Sequence, residues 1–383
     1  MKHFFPNFYN TKHTGKQIGL IHLNTALTAL PIAGASWVAL LASRGGSLVE
    51  IGFAESVFHM ASLLFEVPSG VIADVFGRRR SMLVSQIMMA AAALLMFASR
   101  ELPGVLIGMV FSALGYNFAS GAREALAYET LKAAGEEGKY DHFCAADNLV
   151  YRICRTAATL CAGLALFMGY RRAYLLDALM SMGCFLLTLG LQEVTAWQCR
   201  EPEPADDPSD GRKKNRWGES VDCLVRSLVF IRENGKVLRL ILFNAFVGAV
   251  ATLIGFFLQA RLPQCGLQES LLGPALFVIG LGGVAGAWLV MRLRGWRYRR
   301  VCIVSVALVL LCLLGTFAKN SWLMILCGFG SAMADDFLQI RSDVKLNEMV
   351  PSRERATLLS VSSLCFSLVM AALSPVLGML FSR

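Results

Sequence analysis

The stretch Gly70-Val71-Ile72-Ala73-Asp74-Val75-Phe76-Gly77-Arg78-Arg79-Arg80 joins two long, mainly apolar segments, residues 50–73 and 81–99. Three consecutive arginines after an apolar run mark a place where a chain leaves a membrane, because a guanidinium is costly in hydrocarbon and settles at the water interface. Gly70 allows close helix approach, Asp74 can cap a neighbouring helix N-terminus, and Gly77 permits a tight turn. The stretch therefore reads as a short loop between two membrane-crossing helices.

The rest of the chain extends the pattern. Its 383 residues are 56% hydrophobic and 16% charged, with a mean hydropathy of +0.56, more apolar than soluble domains of this length. A hydrocarbon core about 30 Å thick needs about 20 apolar residues per helical span. Uncharged runs cover residues 17–43, 81–99, 102–122, 240–260, 270–291, 301–318 and 356–382. Four further segments, near 50–73, 143–168, 172–192 and 321–345, are apolar apart from internal charges. Together they predict an all-α polytopic membrane protein with eleven spans. The N-terminus has no short apolar region followed by a small-residue cleavage site, so the first span is expected to remain as an anchor.

The net charge of +9 does not require a nucleic-acid partner. With the N-terminus placed in the cytoplasm, 26 of the 36 lysines and arginines fall on the cytoplasmic side, as the bias of basic residues toward inner loops demands. A sharp change follows the sixth span, where Pro202, Pro204 and Pro208 stand beside Asp206-Asp207 and Arg212-Lys213-Lys214. This is a solvated linker, followed by an amphipathic helix at residues 217–232 suited to the inner membrane face. The chain divides into an N-terminal six-helix half (1–192), a cytoplasmic linker (193–232) and a C-terminal half of five spans (233–383).

Composition also excludes several chemistries. The eleven cysteines form no CxxC pair and lie mostly inside spans, as small packing residues. Gly280-Leu281-Gly282-Gly283-Val284-Ala285-Gly286 contains a dinucleotide-like glycine string, but no strand precedes it and helix packing explains it. No metal, no cofactor and no enzymatic nucleophile is expected.

Residues 70–80 resemble the loop signature of the major facilitator superfamily, G-x-L-A-D-x-x-G-R-[RK]-[RK], with Ile72 at the leucine position. Residues 120–129 and 351–357 resemble further segments of bacterial members. The resemblance implies a major facilitator fold of two six-helix halves, here with the last helix missing, in a monomer of the cytoplasmic membrane. It implies secondary active transport of a small organic molecule by alternating access, most readily proton-coupled efflux. A metabolite uniporter or symporter, and a non-transporting sensor or degenerate member, are the alternatives. It further implies a conformational latch in which Arg78 pairs with Glu129 at the end of span four, with Gly70, Asp74 and Gly77 shaping the loop.

Charged groups inside spans usually face the bundle interior. In span two, Glu55, His59, Ser62 and Glu66 share one helical face. In span four, Asn117, Gly121, Glu124 and Tyr128 form a second stripe, and in span five Asn148, Arg152, Arg155 and Thr159 form a third beside Asp147. Glu124 is expected to pair with Arg152 or Arg155, as a proton-coupling pair or as a static tie between helices. Asp335 and Asp336 in span ten point about 100° apart, with one facing the pathway or pairing with Arg341 or a neighbouring helix. Glu55, His59, Glu124, Arg152, Arg155, Asp335 and Asp336 are thus the proton-coupling or substrate candidates. Asp177 reads as a boundary residue, and His22 and His59 as cavity or packing residues.

Overall fold

The computed structural model describes residues 12–193, 234–349 and 355–382. The amphipathic helix expected at 217–232 lies outside the described residues, as does residues 351–354 of the last signature. All regular structure among the described residues is helical. The first half comprises α1 (Lys12–Thr28), α2 (Ile32–Ala35), α3 (Trp37–Ser43), α4 (Leu48–Phe76), α5 (Arg78–Ala98), α6 (Leu102–Ala119), α7 (Ala122–Ala133), α8 (Tyr140–Leu160), α9 (Ala162–Met168) and α10 (Tyr170–Leu189). The second comprises α11 (Gly235–Gln264), α12 (Glu269–Arg292), α13 (Tyr298–Gly315), α14 (Ser321–Met349) and α15 (Arg355–Phe381).

Nine helical segments among the described residues, α6 with α7 counted as one, are long and apolar enough to cross a membrane. The pair α8 and α9, bent by 47° at Cys161, makes a tenth. The count of eleven is not reached by such helices, because the expected span at 17–43 is split into α1, α2 and α3. Pro31 is responsible: it has no N–H to continue α1, and it serves as the N-cap of α2. The exposed amides of that new start are met by Asp177 of α10, whose Oδ1 accepts from Ile32 N at 2.7 Å and whose Oδ2 accepts from Gly34 N at 2.8 Å. Asp177 is buried, so the boundary reading of this residue is corrected to a cap on a broken helix. Without water, freed backbone amides inside a membrane need such a partner.

The helix surfaces divide as a lipid solvent requires. Phe167 is 87% and Trp322 72% exposed, which a bilayer accommodates and water does not. Inside, α4 packs on α6 and α15, α5 on α6 and α10, and α14 on α11, α12 and α13. The halves meet where α4 packs on α15, α8 and α9 on α12, and α3 on α11. A side chain on Gly52 would strike the Ser374 carbonyl, and one on Gly273 the Leu160 carbonyl. Gly282 and Gly286 likewise sit against the α14 backbone at Phe329 and Met333, so that glycine string serves helix packing.

Candidate functional site

Span four is interrupted. Ser120 ends α6, and Gly121, with φ of +73°, carries the chain through a left-handed turn into α7, a conformation that costs other residues a steric clash. The interruption places Arg123 and Glu124 in the first turn of α7, where a carboxylate is favoured by the helix dipole. The stripe Asn117, Gly121, Glu124 and Tyr128 is therefore not one continuous helical face. Asn117 turns to α4 instead, its Nδ2 donating to the Ser62 carbonyl at 2.7 Å while Ser62 Oγ donates to its Oδ1 at 2.8 Å.

Facing α7, the start of α8 contributes Phe143, Cys144, Asp147, Asn148 and Tyr151 to a cavity of about 300 Å³ that Tyr116, Arg123 and Glu124 complete. Asp147 is the centre of a buried network and is only 6% exposed. Its Oδ1 accepts from His22 Nδ1 at 2.9 Å and from Thr25 Oγ1 at 2.7 Å. Its Oδ2 lies 3.5 Å from Arg123 Nε. A carboxylate can only accept, so the His22 hydrogen sits on Nδ1. The His22 ring stacks on Phe143 at 5.0 Å. Arg123 Nη2 donates to Glu124 Oε1 at 2.9 Å.

The observed partner of Glu124 is thus Arg123, not Arg152 or Arg155. Arg123 and Glu124 are consecutive in the first turn of α7, so the carboxylate meets that guanidinium within its own helix. Among the described residues neither Arg152 nor Arg155 makes an ion pair. The charge of Arg152 reaches Asp336 in the other half, and that of Arg155 reaches Asp177.

The remaining expected residues occupy separate places. Glu55 Oε1 lies 3.2 Å from His59 Nε2, both buried on α4, and the His59 ring meets Phe366 of α15 edge-on. Asp335 and Asp336 diverge: Asp335 packs beside Gly248 of α11, and Asp336 against Gly283 of α12. Neither takes Arg341, which donates to the carbonyls of Arg294 and Trp296. Arg78 Nε lies 3.7 Å from Glu129 Oε1. Gly77 turns at φ +100°. A side chain added at Gly70 would meet nothing within 4 Å among the described residues. The Asp74 side chain lies outside what is described. Among the described residues no three histidine, cysteine, aspartate or glutamate side chains converge as metal ligands.

The sequence reading missed Thr25 and Arg123 as site residues, took His22 as a cavity or packing residue without a partner, and undervalued Asp147. Asp147 stood next to the polar face of span five, and Arg123 stood next to Glu124. His22 carried no local signal, since its partner is 125 residues away.

No curated protein matches the chain. The solved structures that resemble it share its fold at low identity. A nucleoside transporter, NupG, is 14% identical with a TM-score of 0.71, covering 96% of this chain and 91% of that one. A bacterial homologue of the human lysosomal transporter Spinster, in an inward-facing, unoccupied conformation, is 13% identical with a TM-score of 0.71, covering 96% and 82%. The xylose transporter XylE from E. coli, in an inward-open conformation, is 14% identical with a TM-score of 0.62, covering 96% and 90%. The profile of the Major Facilitator Superfamily matches residues 20–375. A multi-pass helical bundle with that match is a secondary transporter and not an enzyme, and the chain belongs to the Major Facilitator Superfamily.

Proposed function

We propose that the protein exports a small organic molecule across a cytoplasmic membrane by alternating access, with protons moving in exchange. The observation that carries this reading is the Arg123, Glu124, Asp147 and His22 network on the wall of a cavity inside a membrane bundle. Two carboxylates share one guanidinium, so a small movement of Arg123 changes which of them is compensated and therefore which one takes up a proton. Glu124 is the coupling residue in this scheme, and Arg123 replaces Arg152 or Arg155 as its switch. Glu55 with His59, and Asp336 with Arg152, are secondary candidates because both groups sit where the halves face each other.

Rocking of two halves about a central site is the motion this fold favours. The contacts between halves at Gly52, Gly273 and Ala35 gather toward the loops at 44–47, 169 and 265–268. With the N-terminus in the cytoplasm, as the distribution of basic residues favours, that end faces outward and the molecule is closed there. Arg78 and Glu129, with Gly70, Asp74 and Gly77, form the latch at the cytoplasmic end. The protein works as a monomer in this reading.

Proteoliposomes loaded at one pH and diluted into another test the coupling, with amines, nucleosides, xylose and peptides screened as cargo. The wild type should show cargo-driven proton movement opposite in direction to cargo, and Glu124→Gln should abolish it. Unchanged proton flux in Glu124→Gln would overturn the coupling role, and proton movement in the same direction as cargo would replace exchange by symport.

A further inference from the structure

The turn between α12 and α13 carries Arg292, Arg294, Arg297, Arg299 and Arg300, all exposed. No acidic residue occurs between Glu269 and Asp335, and among the described residues none of these arginines makes an ion pair. The charge of Asp343 on α14 reaches Tyr298, yet it too is unpaired with them. Three of the five stand where the fold itself disfavours them. Arg297 is the N-cap of α13 without a side-chain cap bond, and Arg299 and Arg300 follow in its first turn, where the helix dipole repels cations.

The backbone of the turn is nonetheless held in place by α14. Arg341 donates to the carbonyls of Arg294 and Trp296 at 3.2 and 2.7 Å, the Trp296 ring meets Phe337 edge-on, and the Tyr298 and Ser342 hydroxyls lie 2.9 Å apart. These contacts leave the five guanidiniums to the surroundings, and the surroundings are a membrane surface. Both α12 and α13 are long and apolar enough to span, so the turn lies at headgroup level. Trp288 and Met291, 52% and 58% exposed, carry the apolar surface of α12 up to the arginines, and the Arg292 guanidinium lies 5.4 Å from the Trp288 ring centre. A topology signal needs only positive charge. A fixed array of forked donors beside an apolar strip fits a phosphate with chains attached.

We propose that the α12–α13 turn binds the headgroup of an anionic phospholipid, its phosphate accepting from the guanidiniums and its chains lying against Trp288 and Met291. Basic clusters next to a span attract anionic lipids in this way. A zwitterionic lipid has the same phosphate but brings its own ammonium, which the array repels. The surface is separate from the cavity between α7 and α8, so it holds for any cargo.

Native mass spectrometry of the full chain in detergent, titrated with dioctanoyl phosphatidylglycerol or dioctanoyl phosphatidylcholine, tests the proposal. The anionic lipid should bind at least about tenfold more tightly. The triple variant Arg297→Gln, Arg299→Gln, Arg300→Gln should lose most of that preference. The double variant Arg171→Gln, Arg172→Gln, which removes exposed arginines from the start of α10, should keep it. Equal affinity for the two lipids overturns the proposal, as does an equal loss in both variants, which would mark a response to net charge alone. Inorganic phosphate that displaces the anionic lipid at equal concentration would assign the turn to a soluble anion and overturn the lipid. If the triple variant does not fold, the wild type at salt raised about tenfold decides: screening should remove most of the preference, and an unchanged preference overturns the proposal.

Discussion

Arg79 and Glu193 cap each other's helices in opposite senses. Both Glu193 carboxylate oxygens accept from the Arg79 backbone amide, at 3.2 and 3.1 Å, in the first turn of α5. The Arg79 side chain donates to the Thr188 and Leu189 carbonyls, at 3.2 and 2.7 Å, in the last turn of α10. An acid thus meets a helix N-terminus and a base meets a helix C-terminus, the pairing that both helix dipoles favour. The clasp joins the loop of residues 70–80 to the point where the chain leaves the first half.

Removing either partner leaves a helix end uncapped. Glu193→Ala and Arg79→Ala should each cost about 1 kcal/mol, and the double variant should cost less than the sum, because the two side chains serve one junction. Thermal unfolding of the four proteins in detergent checks this. Strict additivity would mean that the two caps act independently.

Arg123→Ala removes the shared cation of the cavity network. Asp147 keeps His22 and Thr25 on Oδ1 but loses the guanidinium beside Oδ2, and Glu124 loses its partner, a loss of about 1 to 3 kcal/mol. Both folding stability and transport should fall, whereas Arg123→Lys should recover part of each, since a point charge replaces the cation but not the forked donor geometry. Wild-type stability in Arg123→Ala would show that the network is not a structural centre.

Asp177→Ala takes away both acceptors of the α2 start. Ile32 N and Gly34 N then lack their partner in a buried place, a loss of about 1 to 3 kcal/mol per unsatisfied group. Hydrogen exchange is the direct readout: the amides of 32 and 34 should exchange faster while those of α4 stay protected. Unchanged exchange at both amides would rule out the capping role.

Gly52→Val tests how the halves are sealed. A side chain there meets the Ser374 carbonyl, and overpacking of this kind costs about 1 to 3 kcal/mol. With α4 and α15 forced apart, a cysteine placed at Ser374, which is fully buried, should react faster with a membrane-impermeant maleimide. Labelling at the rate of the Gly52 parent would show that the contact does not seal this end.

Membrane class and the spans of the second half were legible in the linear order of residues. Hydrophobic runs about 20 residues long have one physical outcome in a bilayer, and the stretch 70–80 carries its own loop chemistry. The breaks were only partly legible. Pro31 and Gly121 were visible as residues, yet a proline or glycine in an apolar run is compatible with a kinked continuous helix, and only the partners of the freed amides decide otherwise.

The site shows the same division. Which charged groups lie inside the membrane is a property of the sequence by itself, because span boundaries follow from local hydropathy, and Glu55, Glu124, Asp147, Asp335 and Asp336 were placed there without a structure. Which of them meet was decided by tertiary structure alone. Ion pairs act over a few ångströms, while the Asp147 partners on α1 lie 122 and 125 residues away in sequence. The left-handed turn at Gly121 sets where Arg123 points, so the cluster exists only once the helices have packed.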